Sequence, residues 1–146
     1  MPLEKSVGAV IFKKEKEIEY LLLHYPSSVK SVKDYWDFPK GHIEKDEEEL
    51  DTLKREVEEE TGLKDIKIIE GFKELIRYFF KFQGKTILKT VVFYLAESQS
   101  KGIKISTEHI GNQWLPFEKA LAKLNYENAK EILKKANNFL LFPKKI

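Results

Sequence analysis

Residues 41–63 read GHIEKDEEELDTLKREVEEETGL, and within them Arg55, Glu56, Glu59, Glu60 and Gly62 set a group of carboxylates on one helix turn. A helix advances about 100° per residue, so Glu56, Glu59 and Glu60, at i, i+3 and i+4, project from one face within reach of a shared ion. Three carboxylates so close repel unless solvent, Arg55 or a bound cation offsets their charge. Oxygen ligands alone favour a hard cation, Mg²⁺ or Mn²⁺. Asp46 can cap the helix with Glu49 answering three residues on, and Gly62 can supply the left-handed residue that ends it, so a helix is predicted from about 47 to 61. Leu50, Leu53 and Val57 then form its core stripe. The glutamates stand at the edge of that core, held rigid yet reachable by water.

Composition bounds what surrounds this helix. A chain of 146 residues that is 42% hydrophobic suits one domain, residues 1–146, with one substantial core. There is no Cys, so disulfides and thiolate metal sites are excluded. The opening MPLEKSVGAVIFKK lacks the long apolar region of a signal peptide, and no apolar run nears the roughly 18 residues that span a bilayer, so a cytoplasmic protein with no membrane partner is expected. The net charge of +2 hides an asymmetry. Residues 44–60 hold ten acids against Lys45, Lys54 and Arg55, a net −7, which leaves +9 on the remainder. An acidic, cation-loading centre in a basic protein suits a polyphosphate ligand with its metals. No recognition-helix pattern argues for a stable nucleic-acid partner. Oligomeric state stays open.

Outward from the acidic segment, residues 7–12 and 18–23 are predicted strands joined by the polar KKEKE, and 26–35 form a Ser/Lys-rich loop. A long hairpin follows, 66–78 continuing through FFKF, turning at Gln83-Gly84 and returning over 86–96. A strand over 109–115 ends at Pro116, and helical periodicity returns over 116–124 and 127–139. Strands interrupted by one helix and closed by C-terminal helices make an α/β fold, a mixed sheet sandwiched between helices.

The spacing Gly41, five residues, Glu47, seven residues, Arg55-Glu56-Val57, one residue, Glu59-Glu60, one residue, Gly62-Leu63 resembles the Nudix hydrolase box at every specified position. Beyond it, IEYLLLH (18–24), YWDFPKGHIE (35–44), IIEGFKELIRY (68–78), KTVVFYLAE (89–97) and STEHIGNQWL (106–115) look like the asymmetrical diadenosine tetraphosphate hydrolases of that superfamily. The resemblance covers about residues 6–140. It departs at Tyr35, where that family often has His. Both rings are flat and can stack on a base.

The resemblance implies a Nudix-type α/β/α sandwich and Mg²⁺-dependent cleavage of diadenosine tetraphosphate to ATP and AMP by water. It implies that Glu56, Glu59 and Glu60 ligate the metal with the backbone carbonyl of Lys40 and a distal acid, for which Glu108 is the candidate. Glu56, with Glu60 second, is the expected base. Glu47 and Arg55 are expected to pair and hold the box geometry. Lys40 and Lys89 match positions that contact the phosphate chain, and Tyr78 one that hydrogen-bonds it. Tyr35 and Tyr126 match aromatic positions at the base, though Tyr126 could equally act as a staple before its helix. The alternatives are another Nudix activity, on oxidised nucleoside triphosphates, ADP-ribose or a 5′-triphosphorylated RNA end, or an inactive nucleotide-binding module. All box acids are present, which speaks against the last.

Overall fold

Strand β1 (Leu3–Lys14) is buried without a break over residues 6–12, and this decides the layering. Successive side chains of a strand point to opposite faces, so a continuous buried run needs a cover on both. The computed structural model describes residues 2–27, 33–99 and 111–142. After β1 come β2 (Ile18–Tyr25), β3 (Tyr35–Asp37), β4 (Lys40–His42), α1 (Glu49–Thr61), β5 (Ile66–Phe82), β6 (Lys85–Ser98), β7 (Gly111–Pro116), α2 (Phe117–Lys123) and α3 (Glu127–Leu141). On one face Val7, Ala9 and Ile11 pack with Leu21 and Leu23 against Leu53, Val57 and Leu63, which puts α1 there. On the other, Val10 and Phe12 pack with Leu22, Val91 and Phe93 against Ala120, Leu124, Ile132 and Leu133, under α2 and α3. The result is the expected α/β/α sandwich.

The sheet runs β3-β2-β1-β6-β5, with β4 on β1 and β7 on β2. Strands β1 and β6 are parallel and the other pairings antiparallel, so the sheet is mixed. The pairing of β4 with β1 sets Gly41 opposite Val7 and Lys40 opposite Gly8, so the chain enters α1 from beside the sheet centre. The two three-residue strands β3 and β4 flank Pro39, whose carbonyl accepts from the Ala9 amide at 3.0 Å. No helix among the described residues is long and apolar enough to cross a membrane.

Two details of the predicted helix differ. It begins at Glu49 after Glu48, with no side-chain cap, because Asp46 sits in a turn at φ 69°. The carboxylate of Glu47 organises that turn instead, accepting from the Glu44 amide at 2.9 Å and the Thr52 hydroxyl at 3.0 Å. Leu50 is 40% exposed. In the first turn it is Glu49 that meets the sheet, through Lys5 at 2.7 Å, Lys73 at 3.1 Å and the Tyr94 hydroxyl, and Leu50, one step further round, faces out. The end is as expected: Gly62 takes φ 77° and its amide returns to the Glu58 carbonyl.

The hairpin turns at Gln83 (φ 50°) and Gly84 (φ 74°), the paired positive angles of a tight two-residue turn whose twist matches the strands. Its register shifts between Ile68 and Lys73, where Gly71 takes φ 96°. That bulge turns Phe72 into the core against Phe139. Beyond it, Tyr78 faces Lys89 across the ladder.

Candidate active site

Arg55 is the hub of the acidic helix. Its Nε and Nη2 donate to the two oxygens of Glu47 at 2.8 and 2.9 Å, a bidentate grip, while Nη1 donates to Glu56 at 2.7 Å and to Glu59 at 3.3 Å. Nη2 also reaches the His42 carbonyl at 3.1 Å, which ties the helix to β4. Hydrogen bonds from Arg55, then from the Glu44 amide, hold the Glu47 carboxyl down to about 2. The carboxylates of Glu47, then Glu56, raise Arg55 in turn.

The three glutamates occupy adjoining positions but not a common centre. Glu56 and Glu59 turn to one guanidinium nitrogen, and Glu60, 5% exposed, accepts from the Tyr25 hydroxyl at 3.3 Å. Among the described residues no three His, Asp or Glu side chains already stand as a ligand cluster. The donor set still fits a hard divalent cation, being all oxygen and on one helix face. A notch marks the place. The carboxylate of Glu56 lies against Gly41 where any Cβ would collide with it, so glycine there is what lets this acid lie against β4. Glu108 lies outside the described residues.

On the face of the sheet that carries α2 and α3 is a cavity of about 430 Å³ lined by Tyr35, Asp37, Lys40, Ile76, Tyr78, Phe93, Tyr126, Asn128 and Ala129. The lining comes from β3 and β4 (Tyr35, Asp37, Lys40), from β5 and β6 (Ile76, Tyr78, Phe93) and from the start of α3 with Tyr126 before it. Lys40 donates from Nζ to Asp37 Oδ2 at 3.0 Å. Burial pulls the Lys40 ammonium down, but the Asp37 carboxylate beside it outweighs this and the net shift is upward. Lys89 goes the other way: burial first, then the like charge of Lys40, lower it. Burial raises the Tyr35 and Tyr78 hydroxyls, so both stay neutral donors.

Tyr35 stacks on Tyr25, centroids 5.3 Å apart and planes 11° from parallel. Tyr126 meets Tyr35 edge-on, at 5.4 Å and 61°, from the residue that precedes α3. The two rings touch, so a base would lie on an open ring face or spread the pair. Trp36 stacks on His24 at 4.5 Å under the Lys123 ammonium, and His42 turns to Ser6 and Glu4. Both are packing or surface contacts.

Of the residues expected at the site, Tyr35, Lys40, Tyr78 and Tyr126 share the cavity, Lys89 neighbours it, and Glu47, Arg55, Glu56 and Glu59 form a separate network around the acidic helix, linked to the cavity where Gly41, next to Lys40, lies against Glu56; Glu60 meets Tyr25. Sequence reasoning missed Asp37 and Tyr25. An acid three residues before a lysine was the only available signal for Asp37. Tyr25 carried none, since its meaning comes from strand register.

A NUDIX domain profile matches residues 2–136. The asymmetrical bis(5′-nucleosyl)-tetraphosphatase of Mus musculus is 31% identical over 147 residues, covering 93% of this chain and 95% of that one. An RNA pyrophosphohydrolase of Bartonella bacilliformis is 34% identical over 82 residues, 55% of this chain and 48% of the relative. The crystal structure of a C. elegans Ap4A hydrolase binary complex superposes with a TM-score of 0.80 at 30% identity, over 94% of this chain and 98% of that one.

Proposed function

Since the chain belongs to the Nudix family, we propose that it hydrolyses diadenosine tetraphosphate asymmetrically, to ATP and AMP, with residues 1–146 acting as one catalytic unit. Likeness along nearly the whole chain to asymmetrical tetraphosphatases supports this choice over the RNA pyrophosphohydrolases, which align over about half of it. The observation that carries it is the position of Lys40. Its side chain lines the cavity, and the next residue, Gly41, is packed against Glu56 of the acidic helix. A dinucleotide with its base end in the cavity therefore brings its phosphates past Lys40 and Lys89 to the carboxylates.

Each residue has a part in that reaction. Tyr35 and Tyr126 offer aromatic faces to a base, and Tyr78 donates to a phosphate oxygen. Lys40 and Lys89 attract the phosphate chain. Nudix hydrolases generally use divalent cations such as Mg²⁺. Glu56, Glu59, Glu60, the Lys40 carbonyl and Glu108 would hold Mg²⁺ or Mn²⁺, which when bound would supply neutralising charge for the departing phosphates and make water more acidic. Glu56, or else Glu60, takes a proton as the water oxygen bonds to the terminal phosphorus. The phosphoanhydride breaks there and its electron pair leaves on the ATP oxygen. Arg55 and Glu47 keep α1 in register with β4.

A substrate panel with Mg²⁺ tests the reading. Equal amounts of ATP and AMP from diadenosine tetraphosphate, at a kcat/KM above those for ADP-ribose, oxidised nucleoside triphosphates and 5′-triphosphorylated RNA, are expected. Faster turnover of one of the others would move the substrate to that class.

A further inference from the structure

We propose that Tyr25 is a positioning residue that ties the aromatic wall of the cavity to the acidic helix, its hydroxyl setting the carboxylate of Glu60 and its ring setting Tyr35. This rests on the reading above, in which Glu60 meets the cation and Tyr35 the base. Tyr25 is the last residue of β2, and antiparallel register puts it opposite Tyr35 of β3. Directly opposed side chains share a face with Cβ atoms about 4.5–5.5 Å apart, so strand pairing fixes the stack between the two rings. The far end of the same ring reaches α1. There its hydroxyl is 3.0 Å from the Phe38 carbonyl and 3.3 Å from Glu60 Oε2.

Packing alone would account for the ring, and the Phe38 carbonyl alone would satisfy a buried tyrosine hydroxyl. The contact with Glu60 needs another reason. The Glu60 carboxylate is buried, and a buried polar group is held by hydrogen-bond donors. A guanidinium paired with a carboxylate cancels its charge, as Arg55 does for Glu47. The tyrosine hydroxyl is a neutral donor whose one proton is shared between the Phe38 carbonyl and Glu60. It can orient Glu60 while leaving its negative charge for a cation. The Phe38 carbonyl it also touches lies in the segment joining β3 to β4, so one side chain gathers Glu60, the Tyr35 ring and the backbone leading to Lys40.

Tyr25→Phe keeps the ring and removes the hydroxyl. Free Mn²⁺ followed by electron paramagnetic resonance in nucleotide-free protein should report affinity weakened about tenfold, the scale at which groups orienting a metal ligand act. The kcat should fall by a similar factor while KM for the dinucleotide stays near the parent value. Tyr25→Leu, which also removes the stack, should raise KM as well. Parental Mn²⁺ affinity and kcat in Tyr25→Phe would overturn the proposal, whether or not the unfolding temperature drops. Glu60→Gln separates the two levels. Weakened Mn²⁺ binding in Glu60→Gln with none in Tyr25→Phe refutes only the positioning role, whereas parental binding in Glu60→Gln refutes Glu60 as a ligand and the role of Tyr25 with it.

Discussion

Lys40 Nζ stands 3.0 Å from Asp37 Oδ2, and Asp37, 3% exposed, accepts the Phe38 amide on its other oxygen. This buried acid more than offsets the burial that pulls the Lys40 ammonium down, and so steadies a cation in the cavity wall. Asp37→Asn should cost about 1.5–3 kcal/mol in urea unfolding, the range for a hydrogen bond to a charged group. Asp37→Asn combined with Lys40→Met should cost less than the sum of the single changes, because the pair vanishes together. Additive losses would mean that the two side chains are not coupled.

The grip of Arg55 on Glu47 predicts an acid limb in stability. A carboxyl lowered on folding from the ordinary value to about 2 adds stability that is present above the unfolded value, near 4.5, and is lost as pH falls towards 2. Glu49, lowered to about 2 by Lys5 and Tyr94, acts in the same window. Melting temperatures between pH 6 and pH 2 should therefore drop less steeply for Glu47→Gln than for the parent. Parallel curves would contradict this. Arg55→Lys should lose the fork and part of the same dependence.

Gly41→Ala adds a methyl group where the Glu56 carboxylate lies, so that acid must move while the strand pairing of β4 can persist. Turnover should fall with little change in melting temperature. Glu56→Gln, if this acid takes the water proton, should lower kcat by about 10²–10⁴-fold. An effect confined to KM in both variants would remove Glu56 from the chemistry. Glu108→Gln should raise the Mg²⁺ concentration for half-maximal rate, and unaltered metal dependence would exclude the distal acid.

Base and phosphate contacts should separate in kinetics. Removing the ring of Tyr35 or Tyr126 should cost on the order of 1–3 kcal/mol, seen mainly in KM for the dinucleotide, because stacking is made equally in ground and transition states. Lys89→Ala should lower kcat/KM for every polyphosphate tried. Tyrosine variants with unchanged KM would take the base off these rings.

What the sequence made legible was whatever repeats over many residues. The paired strands around Gln83-Gly84, the stop at Gly62 and the helices after Pro116 and before Phe142 follow from periodicity and turn chemistry, and lie within a few residues of their expected ends. Strands β3 and β4 were not legible, since three residues carry no period and Pro39 between them reads as loop. The exposed Leu50 was misjudged because an amphipathic pattern cannot tell that Glu49 makes the first-turn contact. Tyr25 falls just past the predicted end of β2. Its part depends on Tyr35 lying opposite, a long-range register that no local pattern encodes.

The central claim is that water attacks the terminal phosphorus of diadenosine tetraphosphate beside the acidic helix and expels ATP. Hydrolysis in ¹⁸O-enriched water with Mg²⁺, followed by mass spectrometry of the products, tests it most directly. The account predicts one ¹⁸O in AMP and none in ATP, with the reaction abolished by chelation. Label in ATP, or formation of two molecules of ADP, would contradict it.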